Sequence, residues 1–305
     1  MQWRRILSRG LIGAAAAAAI VCGFVAGQPV PVTVMPTALK HHPVRIHHQR
    51  VHGSWDSTNW SGYAVTGPNG EVTDAKASWT VPLVTCTGNS LGSTGGYSSF
   101  WVGIDGWSSN TVEQIGTDSD CISPQNQPNT PTYYAWFEFY PQAAYYIGNP
   151  GNNFSGATVQ PGDVMSAEVK YSSNRSFTLT ITDTRNGTNQ WTFTKSSRVS
   201  GAKRSSAEWI AETPCCQSGG QVLPLANFGT ADYGFGFTGV LNTASATVGG
   251  ISGPIGAFGN RIQDVTMISE GDPGGSPSGT VMAQPSTPLT ASGSSFSVKW
   301  QNDGP

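Results

Sequence analysis

The chain has 305 residues, with 16 Lys or Arg against 18 Asp or Glu and a formal net charge of −2 at neutral pH. Charged residues make up only 11% and glycines number 38, so the chain lacks the basic excess of a nucleic-acid partner. Its five histidines all lie between positions 41 and 52, which excludes a Ser–His–Asp or Cys–His mechanism and the usual His-bearing zinc sites from everything downstream.

In chain order, residues 1–27 carry Arg4, Arg5 and Arg9, an apolar run from Leu11 to Val25, and then the small residues Ala26 and Gly27. This is the build of a secretory signal peptide. The run is shorter than the roughly 20 residues of a spanning helix; an uncleaved anchor is the alternative reading, and no later segment is apolar enough to span a membrane. Residues 28–54 follow, rich in Pro and His and free of acidic residues. Such a composition cannot bury a core of its own, so the segment is expected to be a propeptide or linker. Residues 1–54 hold six Lys or Arg and no acid, leaving residues 55–305 with ten basic against eighteen acidic side chains, a net charge of −8. A basic leader facing an acidic body is held in part by attraction that weakens as carboxylates protonate.

The body, residues 55–305, is sparse in charge and dense in Gly, Ser, Thr and aromatics. Little self-repulsion develops when its carboxylates neutralise, and few ion pairs are lost on acidification. That suits an acidic extracellular setting, as it suits an ordinary secreted β-protein. Cys86, Cys121, Cys215 and Cys216 are an even set suited to disulfides. Cys86–Cys121 is the favoured pairing, with Cys215–Cys216 as a vicinal pair.

The body reads as strands. "VMSAEVKY" and "FTLTITDT" alternate with period two, and "RNGTN" is a hairpin turn leading into "QWTFTK". Many short strands between Gly, Asn and Pro, with no long helical pattern, predict one all-β sandwich domain of antiparallel sheets. In "WVGIDG", Trp101, Gly103 and Asp105 share a face opposite Val102 and Ile104. In "TYYAWFEFYP", Tyr134, Trp136, Glu138 and Tyr140 lie opposite Tyr133, Ala135, Phe137 and Phe139. In "SAEWIAETP", Glu208, Ile210 and Glu212 lie opposite Trp209 and Ala211. The apolar faces belong between two sheets; the others form a groove of Trp, Tyr, Asp and Glu fit for an extended polymer. Three readings of that groove compete at this point: a glycoside hydrolase with paired carboxylates, a peptidase whose carboxylate activates water beside an oxyanion donor, and a non-catalytic lectin-like sandwich.

Six motifs then stand in one order: "NWSGYAV", "WVGIDG", "EQIGTD", "YYAWFEFYP", "AEWIAE" and "LPLANF". In this order they resemble the glutamic peptidases, or eqolisins, over most of the chain from about Trp55 to Phe228. The resemblance implies a β-sandwich of two curved antiparallel sheets (concanavalin-like), a prepro-enzyme acting at acid pH, polypeptide substrates, and no metal or other cofactor. Nucleic acid is not an expected partner, nor is a membrane after processing, and a monomer is the default.

The same resemblance assigns Gln114 of "EQIGTD" and Glu212, rather than Glu208, as the catalytic pair. Trp60, Trp101, Asp105, Trp136 and Glu138 match substrate-binding or supporting positions. An ionised Glu212 takes a proton from water and later returns it to the leaving nitrogen, while the Gln114 amide positions the water and donates to the oxyanion. Glu113, Asp118 and Glu208 are expected to be mainly structural. Tyr134 stands where the family prototype has Asp, Glu113 where it has an apolar residue, and the cysteines are placed differently, so the family's disulfides do not transfer.

Overall fold

A computed structural model describes residues 39–49, 54–86, 95–122, 129–148, 156–215, 222–269 and 279–304. The expected signal peptide and Cys216, with the Cys215–Cys216 pair, lie outside the described residues. Eighteen strands follow in chain order: β1 (Ile46–Gln49), β2 (Ser54–Ser57), β3 (Trp60–Thr66), β4 (Val72–Thr80), β5 (Ser99–Ile104), β6 (Val112–Ile122), β7 (Thr130–Tyr140), β8 (Tyr145–Ile147), β9 (Val164–Tyr171), β10 (Ser176–Asp183), β11 (Trp191–Arg198), β12 (Ser206–Glu212), β13 (Thr230–Gly234), β14 (Ser245–Val248), β15 (Ile251–Pro254), β16 (Ile262–Ile268), β17 (Val281–Pro285) and β18 (Ser295–Trp300). Among the described residues the one α-helix is the single turn Phe235–Thr238.

The strands form two layers. One runs, neighbour to neighbour, β8-β7-β6-β5-β12-β3-β16-β2-β1. The other runs β11-β10-β9-β4-β13-β18-β17, with β14 and β15 extending from β4. β16 pairs with both β3 and β17 and so joins the layers into one continuous hydrogen-bonded network. Among the described residues, every pairing between these eighteen strands is antiparallel except β2 with β16.

Alternation decides which side chains meet between the layers. Phe100, Val102, Ile104, Ala135, Phe137, Phe139, Ala207, Trp209 and Ala211 pack with Ala75, Ala77, Val169, Leu179 and Ile181 in one core. These are the apolar members of each alternating strand, as the period-two reading expects. The turn after "FTLTITDT" is a short 3-10 turn at Arg185–Gly187, and Asp183 pairs with Trp191 across the hairpin. Cys86 and Cys121 form a disulfide with Cα atoms 5.4 Å apart.

A leader segment unable to build a core nevertheless buries Leu39 and His41, and its residues Ile46–Gln49 pair with β2. It needs no core of its own, because it contributes main-chain hydrogen bonds and one flat ring to a cleft that the body already lines with aromatics.

Candidate active site

An antiparallel layer usually leaves one face to water, yet β5, β12 and most of β6 and β7 are buried on both faces. The strand register explains what lies on the second face. Three rows cross the layer there: Glu208–Gly103–Gln114–Glu138, then Ile210–Trp101–Gly116–Trp136–Tyr146, then Glu212–Ser99–Asp118–Tyr134. Gly103 and Gly116 give room to the indole between them. A Cβ on Gly103 would lie 2.9 Å from Trp101 Cζ3, and one on Gly116 would lie 2.6 Å from Trp101 Cβ. The edge of Trp60 meets Trp101 at 4.9 Å between ring centroids.

Gln114 and Glu212 reach this face from opposite ends, and His41 of the leader bridges them. The Gln114 amide donates through Nε2 to the His41 carbonyl at 2.9 Å and to Glu138 Oε2 at 2.8 Å. Both neighbours are acceptors, which orients the amide with its NH₂ toward them. The His41 N–H donates to the same Glu138 oxygen at 3.2 Å. Glu212 accepts from the Trp101 indole N–H at 2.8 Å. Its Oε2 stands 3.4 Å from His41 Nδ1, a contact too long for a good hydrogen bond. The His41 ring lies flat on Trp136, with centroids 3.6 Å apart and planes 1° from parallel. Trp136 is itself pinned, since its indole N–H donates to Asp118 Oδ1 at 2.6 Å. The second oxygen of Glu212, the second oxygen of Glu138 and the Gln114 carbonyl oxygen are buried without a protein partner.

Burial dominates the electrostatics. It raises Glu138 well above the usual carboxylate range, opposed by the donors on His41 and Gln114. It raises Glu212 likewise, with the Glu138 charge adding and the Trp101 indole opposing. Asp118 is pushed up to about 7 by burial, against hydrogen bonds from Ser99, Tyr134 and Trp136. Burial and then the neighbouring His42 hold the His41 imidazole well below its usual value. Burial thus favours the uncharged form of both His41 and Glu212. Among the described residues, no group of three or more His, Cys, Asp or Glu is arranged to hold a metal ion.

Of the residues singled out from sequence, Gln114, Glu212, Trp101, Trp136 and Glu138 converge around His41, and Trp60 backs Trp101. Asp105 does not join them. Its φ of 73° ends the β5 alternation, and its carboxylate accepts from the backbone N–H of Arg204 and Ser205 at 2.7 and 3.0 Å, tying down the loop before β12. Asp118, expected from sequence to be mainly structural, holds the Trp136 indole. The sequence reading passed over Asp120, which accepts from the Tyr134 hydroxyl at 2.6 Å and from the Ser98 N–H at 3.0 Å. The signal that both lie on the Gln114 face was available: in "QIGTDSD" they share its parity. Tyr134, the family departure, is thus paired to an acid rather than being one.

Comparison with known proteins selects among the three readings of the groove. The Peptidase A4 family profile matches residues 58–270. Aspergillopepsin-2 from Aspergillus niger is 31% identical over 232 residues, covering 70% of this chain and 73% of that protein. Scytalidopepsin B from Scytalidium lignicola is 29% identical over 180 residues, covering 57% and 60%. Scytalido-glutamic peptidase, crystallised with a transition state analog inhibitor, shares the fold with a TM-score of 0.57 at 23% identity, over 80% of this chain and 98% of that one. Cleavage of peptides rather than sugars follows: the chain belongs to the Peptidase A4 family and is a glutamic endopeptidase.

Proposed function

We propose that this chain is a secreted endopeptidase, made with a propeptide and active in acid, in which Glu212 and Gln114 form the catalytic pair. The observation that carries this reading is the seating of one peptide unit: the His41 carbonyl accepts from the Gln114 amide while Glu212 borders the same residue. A carbonyl held by an amide donor is where an oxyanion gains most from that donor, and a neutral amide keeps its N–H at any pH.

The steps follow from the groups. Glu212 takes a proton from water as the water oxygen attacks the scissile carbonyl carbon. The Gln114 N–H bonds strengthen as charge builds on the carbonyl oxygen. Glu212 then passes the proton to the leaving nitrogen. Burial raises the Glu212 carboxyl above its usual range, and it acts as base in its ionised form. Hydration by the attacking water opposes that desolvation and favours the carboxylate beside a bound peptide. Trp136 and Trp101 supply flat walls for the substrate, Glu138 orients the Gln114 amide, and Asp105 holds the loop behind β12.

The test is turnover of an unfolded protein at about pH 3 by the purified chain, Gln114→Ala and Glu212→Gln. Loss of one oxyanion donor costs about 10²–10³ in kcat, and loss of the base is expected to cost at least as much. Wild-type turnover by both variants would sink the dyad. Detection of the intact leader in culture medium, with residues 1–27 removed, tests secretion.

A further inference from the structure

We propose that the first substrate of this groove is the chain's own leader, and that the bond cut is His41–His42. The inference rests on the Gln114/Glu212 reading and adds the scissile bond to it.

The leader crosses the groove as an added strand. Upstream, Lys40 and Cys215 exchange both main-chain hydrogen bonds, at 3.2 and 3.1 Å, continuing the line of β12 past Glu212. Downstream, the Asn59 amide donates to the carbonyls of His42 and Pro43 at 3.3 and 3.2 Å, and Asn59 Oδ1 accepts from the Arg45 N–H at 2.9 Å. The Val44 N–H donates to Gly106 and the Arg45 carbonyl accepts from Thr58. Along Lys40–Pro43 every carbonyl thus has a partner, and three of the four are committed to Cys215 or Asn59. The His41 carbonyl alone is presented to Gln114. Its N–H is held by Glu138 and its ring by Trp136, so all three groups of that residue are gripped at once. Positioning of this quality is what converts a bound peptide into a reacting one.

In the step itself, water oxygen bonds to the His41 carbonyl carbon and one water proton goes to Glu212. The carbon–nitrogen bond to His42 breaks, and Glu212 delivers that proton to the His42 nitrogen. The products are a piece ending in the His41 carboxyl and a body beginning at the His42 amine. The two ends are then held unequally. The upstream piece keeps its strand pairing to Cys215 and the stack on Trp136, which it loses on leaving. The downstream piece stays anchored through Asn59, Gly106 and the pairing of β1 with β2.

Full-length protein folded at neutral pH and shifted to about pH 3.5 provides the first arm, read by intact mass and N-terminal sequencing. A new N-terminus at His42, appearing at a rate independent of protein concentration and absent in Glu212→Gln, supports the inference. His41→Gly, which removes the stacked ring, should slow that cut about tenfold. A first cut elsewhere, or the same cut in Glu212→Gln, overturns it. The second arm gives the processed enzyme the peptide of Leu39–Arg45, LKHHPVR. The expected products are LKH and HPVR. An uncut peptide, or one cut at another bond, beside rapid digestion of an unfolded protein overturns the inference and leaves the peptidase reading standing. Failure to digest either substrate removes both.

Discussion

The outward faces of the two layers obey one alternation rule and end in opposite environments. On β9–β11 the outward residues are Thr, Ser, Lys and Glu in contact with water. Thr178 bonds Ser196, Thr180 bonds Thr194 and Thr182 bonds Thr192, while Lys76, Lys170 and Glu168 form exposed ion pairs. Such pairs contribute a few tenths of a kcal/mol each. On β5, β6, β7 and β12 the outward residues are Glu, Gln, Asp and Trp, all buried, and several carboxylate oxygens have no protein partner. Burying acids costs stability, most where an oxygen lacks a partner, so a face that keeps Asp118, Asp120, Glu138, Glu208 and Glu212 near one glutamine is shaped by chemistry and not by folding. The contrast teaches that polarity alone does not mark a site; polarity that the fold withholds from water does.

The largest effect that would break this contrast is expected at Gln114. Gln114→Glu keeps shape and removes the NH₂ donors, placing a third acid beside Glu138 and Glu212. Turnover should fall about 10²–10³-fold, and the remaining activity should shift to lower pH, because the introduced carboxyl donates to the oxyanion only while it is protonated. Kinetics across pH 2–6 read both outcomes, and an unchanged profile would place Gln114 outside the chemistry.

Next comes stability. Burial raises Glu113, Asp120, Glu138, Glu208 and Glu212 well above their usual range and Asp118 up to about 7. The native state therefore keeps protons that the unfolded chain releases near pH 4. More protons bound in the native state means that stability falls as pH rises. The contribution is complete below about pH 4 and is lost through the window up to about 7 and beyond. Thermal melts of Glu212→Gln, the variant chosen to suppress self-digestion, should show a Tm at pH 4 at least about 5 °C above that at pH 7.5, since one kcal/mol moves a domain of this size by ~2–4 °C. A flat Tm would mean that these acids are hydrated.

A smaller effect is expected at Asp118. Asp118→Ala leaves the Trp136 indole N–H buried without its acceptor, at a cost of about 1–3 kcal/mol. KM should rise roughly tenfold with a lesser change in kcat, and Asp118→Asn, which still offers an oxygen, should restore it. The smallest is on the wet face: Thr180→Val should change stability by less than about 0.5 kcal/mol and leave turnover unaltered. A large effect there would erase the distinction between the faces.

Much of the fold was legible because strand alternation is local. Two residues in succession point to opposite sides whatever the rest of the chain does, so "WVGIDG", "YYAWFEFY" and "AEWIAE" sort their own apolar and polar members. That logic failed at Asp105, where a left-handed residue ends the strand and turns its carboxylate to the backbone of Arg204 and Ser205. It was not carried through for Asp118 and Asp120, although parity placed them with Gln114, because their worth lies in the indole and phenol they hold across the sheet.

By itself, the sequence determined a histidine-free β-sandwich body, its core face, and the family to which its ordered motifs belong. Only the tertiary structure decided that a His- and Pro-rich leader enters the groove, with His41 reaching Gln114 across 73 positions and Glu138 across 97. Composition reports whether a segment can bury a core alone. Whether it fits a cleft built by the rest of the chain depends on main-chain partners and one stacked ring, which no local pattern encodes.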